Sequence, residues 1–310
     1  APGSERCGIS RMKAELLVDC RCTLGEGLQW NDQLQRLFWT DIQERQLYSC
    51  DADGQDVQVM NLPDRLGSFA FDPDGDILAA YAKGLFRMAG NGRRAERLTD
   101  FEPDHPTSRL NDGRCDRVGQ FITGGIDENG LAPTSSLIRF SIGRTEVLRT
   151  GVGCANSICF SPDGSVMYFT DNHTQQIVAY DYEPDGPLPP PRVFHDVPPE
   201  DGNADGSCID AEGAMWNARF YAGNVRQILP DGSAAARVDL PAPNVTCTCF
   251  GGPDLDRLYI ITARVEMTDG QLAESPHSGS LFVADVGVRG LPEERFATPL
   301  YRSWNGDIAF

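Results

Sequence analysis

The amino-acid sequence predicts an all-β protein: a six-bladed β-propeller with four-stranded blades around a central metal site. Three observations predict it. A turn motif recurs at regular intervals, candidate strands flank its copies, and one position of the repeat collects carboxylate and carboxamide groups.

The motif is an apolar leader followed by a polar turn. It occurs at Trp30–Leu34, Phe71–Gly75, Cys115–Gly119, Phe160–Gly164, Ile209–Gly213 and Phe250–Asp254. The leaders stand 41 to 49 residues apart, the length of a four-stranded propeller blade. Behind the turns run LFWTDI, ILAAYA, FITGGI, VMYFTD, AMWNAR and LYIITA, and after each comes a second run, often ending in Asp-Gly. β-Branched and aromatic residues bounded by such turns are hairpin signals. Helical periodicity is nowhere convincing.

Six blades account for nearly the whole chain, with residues 1–14 as an N-terminal tail and 15–310 as a single propeller domain. An open ring would expose strand edges, so the run Glu15–Cys20 is expected to pair into the last blade. The stretches 183–203 and 265–279 read as loops on the rim.

Composition narrows the partners. A net charge of −18 over 310 residues opposes binding to nucleic acid, whose phosphates it would repel. It would not steer an anionic substrate inward, and it leaves a neutral one unaffected. No stretch reaches the roughly 18 apolar residues of a membrane span, so no membrane partner is expected. The ten cysteines include the pairs Cys20/Cys22 and Cys247/Cys249, but neither has a partner pair at zinc spacing. Free, buried thiols in a cytoplasmic protein are the expected state.

The residue four places before each leader is Glu26, Gly67, Asn111, Asn156, Asp205 and Thr246. Equivalent positions in successive blades are related by rotation about the propeller axis, so the six should face one central space. Turns favour Asn and Asp for local hydrogen bonds, which accounts for any one of these residues more easily than for four in one register. Glu26 and Asp205 facing each other would repel without a cation between them. Their oxygens are hard ligands, and two negative charges match one divalent ion. The four histidines, His105, His173, His195 and His277, show no metal-ligand spacing and read as loop residues.

These motifs resemble the regucalcin (senescence marker protein), gluconolactonase and bacterial sugar-lactonase family over roughly residues 15 to 300. The likeness is carried by the segments 24–27, 109–113, 155–158 and 204–207, in order and at blade spacing. Segments 240–246, 249–252 and 262–264 look especially like the bacterial sugar lactonases. The resemblance implies hydrolysis of a sugar-acid lactone (glucono-, xylono- or arabinono-lactone) to the aldonic acid, with one divalent ion: Ca, Zn, Mg, Mn or Fe(II). It implies that Glu26, Asn156 and Asp205 bind the metal and that Arg109 and Asn111 contact substrate. Asp205 is then the candidate base for water, and Asp171 a residue behind the ligands or in a structural turn. A second acidic substrate contact belongs near 127–129, where the alignment can slip. Departures from the family pattern fall at Leu28, Ser157 and Ala204, and none removes a ligand oxygen.

Two other functions fit the same fold: a calcium-binding or interaction propeller without catalysis, and an organophosphate-type esterase. A pure binding module has no use for an internal acidic ring beside Arg109. Activity on aldonolactones as against phosphotriesters separates the two enzymes.

Overall fold

The computed structural model describes residues 9–89 and 95–297, and within them six sheets, antiparallel but for one edge strand, are arranged as the blades of a propeller. Blade one is Gly25–Asn31, Arg36–Asp41, Gln46–Cys50 and Gln58–Asn61, from the axis outward. The inner strands of blades two to six are Leu66–Phe71, Ser108–Cys115, Ala155–Phe160, Asn203–Ile209 and Val245–Gly251. One short α-helix, Asp269–Glu274, and two 3-10 turns are the only helical segments among the described residues.

The recurring motif is the hairpin between the first and second strands, and its polar residue makes the turn. Asp72 accepts from the backbone N–H of Asp74 and Asp76, Asp116 from Val118 and Gln120, and Asp210 from Glu212 and Ala214. Asn31 does the same for Gln33 and Leu34. A short side chain that satisfies turn N–H groups reverses the chain without help from elsewhere.

Each pair of neighbouring blades encloses its own apolar core, giving six cores around the ring. Inner strands are therefore buried on both faces. Leu258 and Ile260 pack toward blade five, while Tyr259 and Ile261 pack toward blade one. This is why the second strands read as continuous apolar runs and not as alternating ones. Cys208, Cys247 and Cys249 fill these cores as small hydrophobes. The nine described cysteines are all free; Cys7 lies outside the described residues.

Glu15–Val18 pairs antiparallel with Leu281–Asp285 and closes the ring. The upstream residues differ from the expected tail. Ser10–Lys13 forms a fifth strand on blade five, parallel to Ala234–Asp239, with Met12 and Ala14 packed against that blade's core. Alternating Met12 and Ala14 is too short a pattern to distinguish from a tail by sequence. Residues 1–8 and 298–310 lie outside the description.

The stretch expected as a rim loop at 183–203 is divided. Arg192–Asp196 is the outer strand of blade four, with loops at opposite ends of it. The other, 265–279, holds the helix and borders the cleft described below.

At the far end of the axis the segment 289–297 crosses the channel. Ala211 N–H donates to Arg289 O (2.8 Å), and Gly290 N–H to Leu255 O (2.7 Å). Phe296 N–H donates to Phe71 O and Ala297 N–H to Gly119 O, both at 2.9 Å. Glu293 pairs with Arg114 at 2.8 Å, and Phe296 is buried between blades two and three. The axial space therefore opens toward one end.

Candidate active site

The six axial positions read from sequence coincide with a local irregularity that the sequence does not announce. In every blade the inner strand carries one residue more than its neighbour at this point. Glu26 pairs with Thr40 but Gln29 with Phe38; Asn156 pairs with Thr170 but Cys159 with Tyr168. The same one-residue bulge lies at 110/113, 204/207, 66/68 and 245/247. A bulge re-aims the side chain beside it, and the six lie in one register around the axis.

Four of the six line one cleft of about 280 Å³: Glu26, Asn111, Asn156 and Asp205, joined by Arg109. The other two are structural. Thr246 donates its hydroxyl to Gly25 O (2.5 Å), tying blade six to blade one. At Gly67 a Cβ would come within 2.6 Å of the Leu110 and Asn111 carbonyl oxygens, so only glycine lets blade three approach.

The carboxylates have few donors. Among the described residues Glu26 accepts only from the N–H of Gly27 (3.3 Å), and Asp205 only from the N–H of Gly206 (3.1 Å). Burial, then the charges of Asp205 and Asp112, push Glu26 well above the usual carboxylate range. Burial and Asp112 do the same to Asp205. Asp112 lies one step further along the channel, its carboxylate accepting from Ile158 N–H (2.9 Å) and Gly113 N–H (2.8 Å).

A chain of amides surrounds them. Arg109 donates through Nη1 to Asn111 Oδ1 (2.7 Å), Asn111 Nδ2 to Asn156 Oδ1 (3.2 Å), and Asn156 Nδ2 to Asn172 Oδ1 (3.1 Å). Asn111 Nδ2 also reaches Ala155 O at 3.0 Å. This fixes both amides, each oxygen accepting one bond: Asn111 Oδ1 from the charged Arg109 guanidinium and Asn156 Oδ1 from a neutral amide, which leaves the latter the better cation donor.

Of the acidic residues near 127–129, Glu128 is the one at the cleft. It lines the cleft and pairs with Arg109 Nε at 2.9 Å and with Arg65 at 2.7 Å. Asp127 turns away and holds its own loop, accepting from Asn129 N–H and the Thr134 hydroxyl, both at 2.8 Å. Asp171 likewise accepts from the N–H groups of Gly153 and Cys154, bracing the approach to Asn156. It ends the strand Val166–Asp171, as its counterpart Asp41 ends Arg36–Asp41, where it accepts from Thr23 and Leu24 N–H.

Cys154 also lines the cleft, but burial and then Asp205 raise its thiol well above normal, so it holds its proton. His105, His195 and His277 stand elsewhere, the last two against Gly232 O and Asp19. Sequence reasoning missed Asp112, Asn172, Phe220, Tyr221 and Glu266.

The residues fit a divalent cation. Two sunken carboxylates and one amide oxygen, all hard donors, converge where Arg109 is engaged by Glu128 and Asn111 and no other side-chain cation lines the cleft among the described residues. No three His, Cys, Asp or Glu side chains cluster as a metal site among the described residues, because the third donor here is an amide.

The family model for the SMP-30/gluconolactonase/LRE-like region matches residues 24–264. The chain belongs to this family. It is 39% identical to an L-arabinolactonase of Azospirillum brasilense, over 92% of this chain and 96% of the relative. It is 32% identical to a 6-deoxy-6-sulfogluconolactonase of Pseudomonas putida, over 88% and 95%. Its fold superposes on the calcium-binding protein regucalcin of Agrobacterium tumefaciens with a TM-score of 0.89, at 30% identity, covering 94% of this chain and 99% of that one.

Proposed function

We propose that the chain is a metal-dependent lactonase that opens a neutral sugar-acid lactone to its aldonic acid. The observation that carries this is the pair Glu26 and Asp205, a half-buried and a buried carboxylate in one cleft, both raised toward the neutral form, with no side-chain donor of their own among the described residues. Leaving such groups uncompensated is costly, and a divalent ion removes the cost. The relatives named L-arabinolactonase and 6-deoxy-6-sulfogluconolactonase support the opening of a sugar lactone.

Glu26, Asn156 and Asp205 would hold the ion; bound there, it supplies Lewis-acid polarisation of the ester carbonyl. Asp205 accepts the proton of the attacking water, its carboxylate standing beside the ion that would polarise the ester. Arg109, fixed by Glu128 and Asn111, presents its guanidinium edge to the sugar hydroxyls and the carboxylate that forms. Glu128 accepts from hydroxyls on the same side. The cleft's size suits one five- or six-membered ring, and the chain's net charge of −18 favours uncharged lactones. The free cysteines fit a cytoplasmic location, and no helix among the described residues is long and apolar enough to cross a membrane.

The test is a pH-indicator screen of chelated protein, re-loaded with Ca, Mg, Mn, Zn or Fe(II), over arabinono-, xylono- and gluconolactone and a phosphotriester. Metal-dependent acid release from the lactones is expected. Turnover of the phosphotriester alone would move the protein to the esterase class.

A further inference from the structure

The cleft has two unlike walls. Blades three and four line it with Arg109, Glu128 and carboxamides; blades five and six present Phe220, Tyr221, Val265 and Glu266. The second wall contains unusual backbone. Tyr221 has φ +75° and Glu266 has φ +63°, in the left-handed region that side chains other than glycine rarely adopt.

Each turn is anchored independently. Around Tyr221, Gly223 N–H donates to Pro243 O and Asn224 Nδ2 to Ala222 O, both at 2.9 Å. Around Glu266, Arg264 and Val265 N–H both donate to Thr23 O, and Asn244 Nδ2 holds Val265 O at 2.8 Å. The two turns bring their side chains to one point, where the Tyr221 hydroxyl donates to Glu266 Oε2. Phe220 braces the Tyr221 ring edge-on, with centroids 4.5 Å apart. Tyr221 nevertheless stays 53% exposed. A ring needed only for packing would be buried; this one is held open at the cleft by strained, well-anchored backbone, a pattern that accompanies functional contacts.

We propose that Tyr221 is a specificity-determining substrate contact, its ring lying against the C–H face of a small lactone, and that Glu266 is the positioning residue that fixes it. The inference rests on the lactonase reading. A sugar lactone has a hydroxyl-rich edge and a flatter C–H face. The Arg109 wall takes the first and the aromatic wall the second. The Glu266 carboxylate beside this wall also disfavours lactones that carry an acidic group.

Steady-state kinetics of wild type, Tyr221→Phe, Tyr221→Ala and Glu266→Gln test this, on a neutral aldonolactone and on a lactone bearing a second, free carboxylate. Tyr221→Ala should raise KM for the neutral lactone about tenfold with kcat little changed, the signature of lost uniform binding. Tyr221→Phe keeps the ring but loses the bond to Glu266, so its KM should fall between those of wild type and Tyr221→Ala. Glu266→Gln should improve kcat/KM for the acidic lactone several-fold relative to the neutral one. An active wild type with unchanged KM in Tyr221→Ala, or equal defects in the Phe and Ala variants, overturns this assignment alone. A wild type that opens no lactone overturns the lactonase reading with it.

Discussion

The Ser157 hydroxyl donates to the backbone carbonyl of Asp205, 2.6 Å away, across the boundary between blades four and five. Ser157 follows Asn156 directly and sits in the left-handed region at φ +59°. One bond thus joins the bulges that carry two proposed metal ligands. Asn217 completes the knot, its Nδ2 reaching the same carbonyl at 2.9 Å and Ser157 Oγ at 3.1 Å.

Ser157→Ala keeps the strained backbone and loses the bond, so it should destabilise the protein by about 1 kcal/mol. Ser157→Gly relieves the strain and should recover most of that loss. Neither restores the tie to Asp205, so both should weaken metal affinity several-fold. Denaturant midpoints and metal titrations check the pattern; unchanged metal affinity in both would show the bond to be structural only.

The two carboxylates should separate by role. Glu26→Gln keeps an oxygen ligand and removes a charge, so saturating metal should recover much of the activity. Asp205→Asn also keeps an oxygen but removes the proton acceptor. Its rate should stay on the order of 10²–10⁴ below wild type at any metal concentration. Turnover measured across a metal titration decides this. Full recovery by Asp205→Asn, without recovery by Glu26→Gln, would assign the base to Glu26.

Stability should depend on pH in opposite senses with and without metal. Burial raises Glu26 and Asp205 above their unfolded values, so in metal-free protein the folded state binds protons that the unfolded state releases. This penalty stands at neutral pH and is relieved as pH falls through the raised values toward about 4. Asp19 and Asp163, both lowered to about 2, act the other way, and their contribution is lost only as pH drops below about 4. Metal requires the deprotonated ligands. Chelated protein should therefore melt higher at pH 5 than at pH 8, and loaded protein higher at pH 8. Parallel pH profiles would contradict the account.

Arg109 holds three acceptors at once: Glu128, Asn111 Oδ1 and Leu110 O. A lysine ammonium cannot reproduce that fork. Arg109→Lys should lower kcat/KM by about 10² while leaving metal affinity near wild type. A lysine variant with full activity would remove Arg109 from the substrate contacts.

Much of this was legible in sequence because the propeller repeats itself. The leaders Trp30 to Phe250 mark hairpins, and in four of them a local Asn or Asp right after the leader makes the turn, so these announce themselves independently. The ring position was readable for the same reason, and Glu26, Asn111, Asn156 and Asp205 do share one cleft. The bulges behind it were hidden, since an extra residue shows only in pairing with the next strand. Glu128 could be separated from Asp127 only by seeing which carboxylate its own turn uses. Tyr221 and Glu266 lie on turns of different blades, far apart in sequence, and nothing in either segment predicts their meeting. Ser10–Lys13 took its place through a parallel pairing with blade five, which no local pattern signals.

The most direct test of the central claim is metal content and lactone turnover measured on the same samples of wild type and the Glu26→Ala/Asp205→Ala double variant. The account predicts close to one divalent ion per wild-type chain, loss of aldonolactone hydrolysis on exhaustive chelation, and recovery on adding metal back. The double variant, with unchanged strand content, should hold no ion and show no activity. Full lactone turnover by rigorously metal-free wild type, or by the double variant, would contradict it.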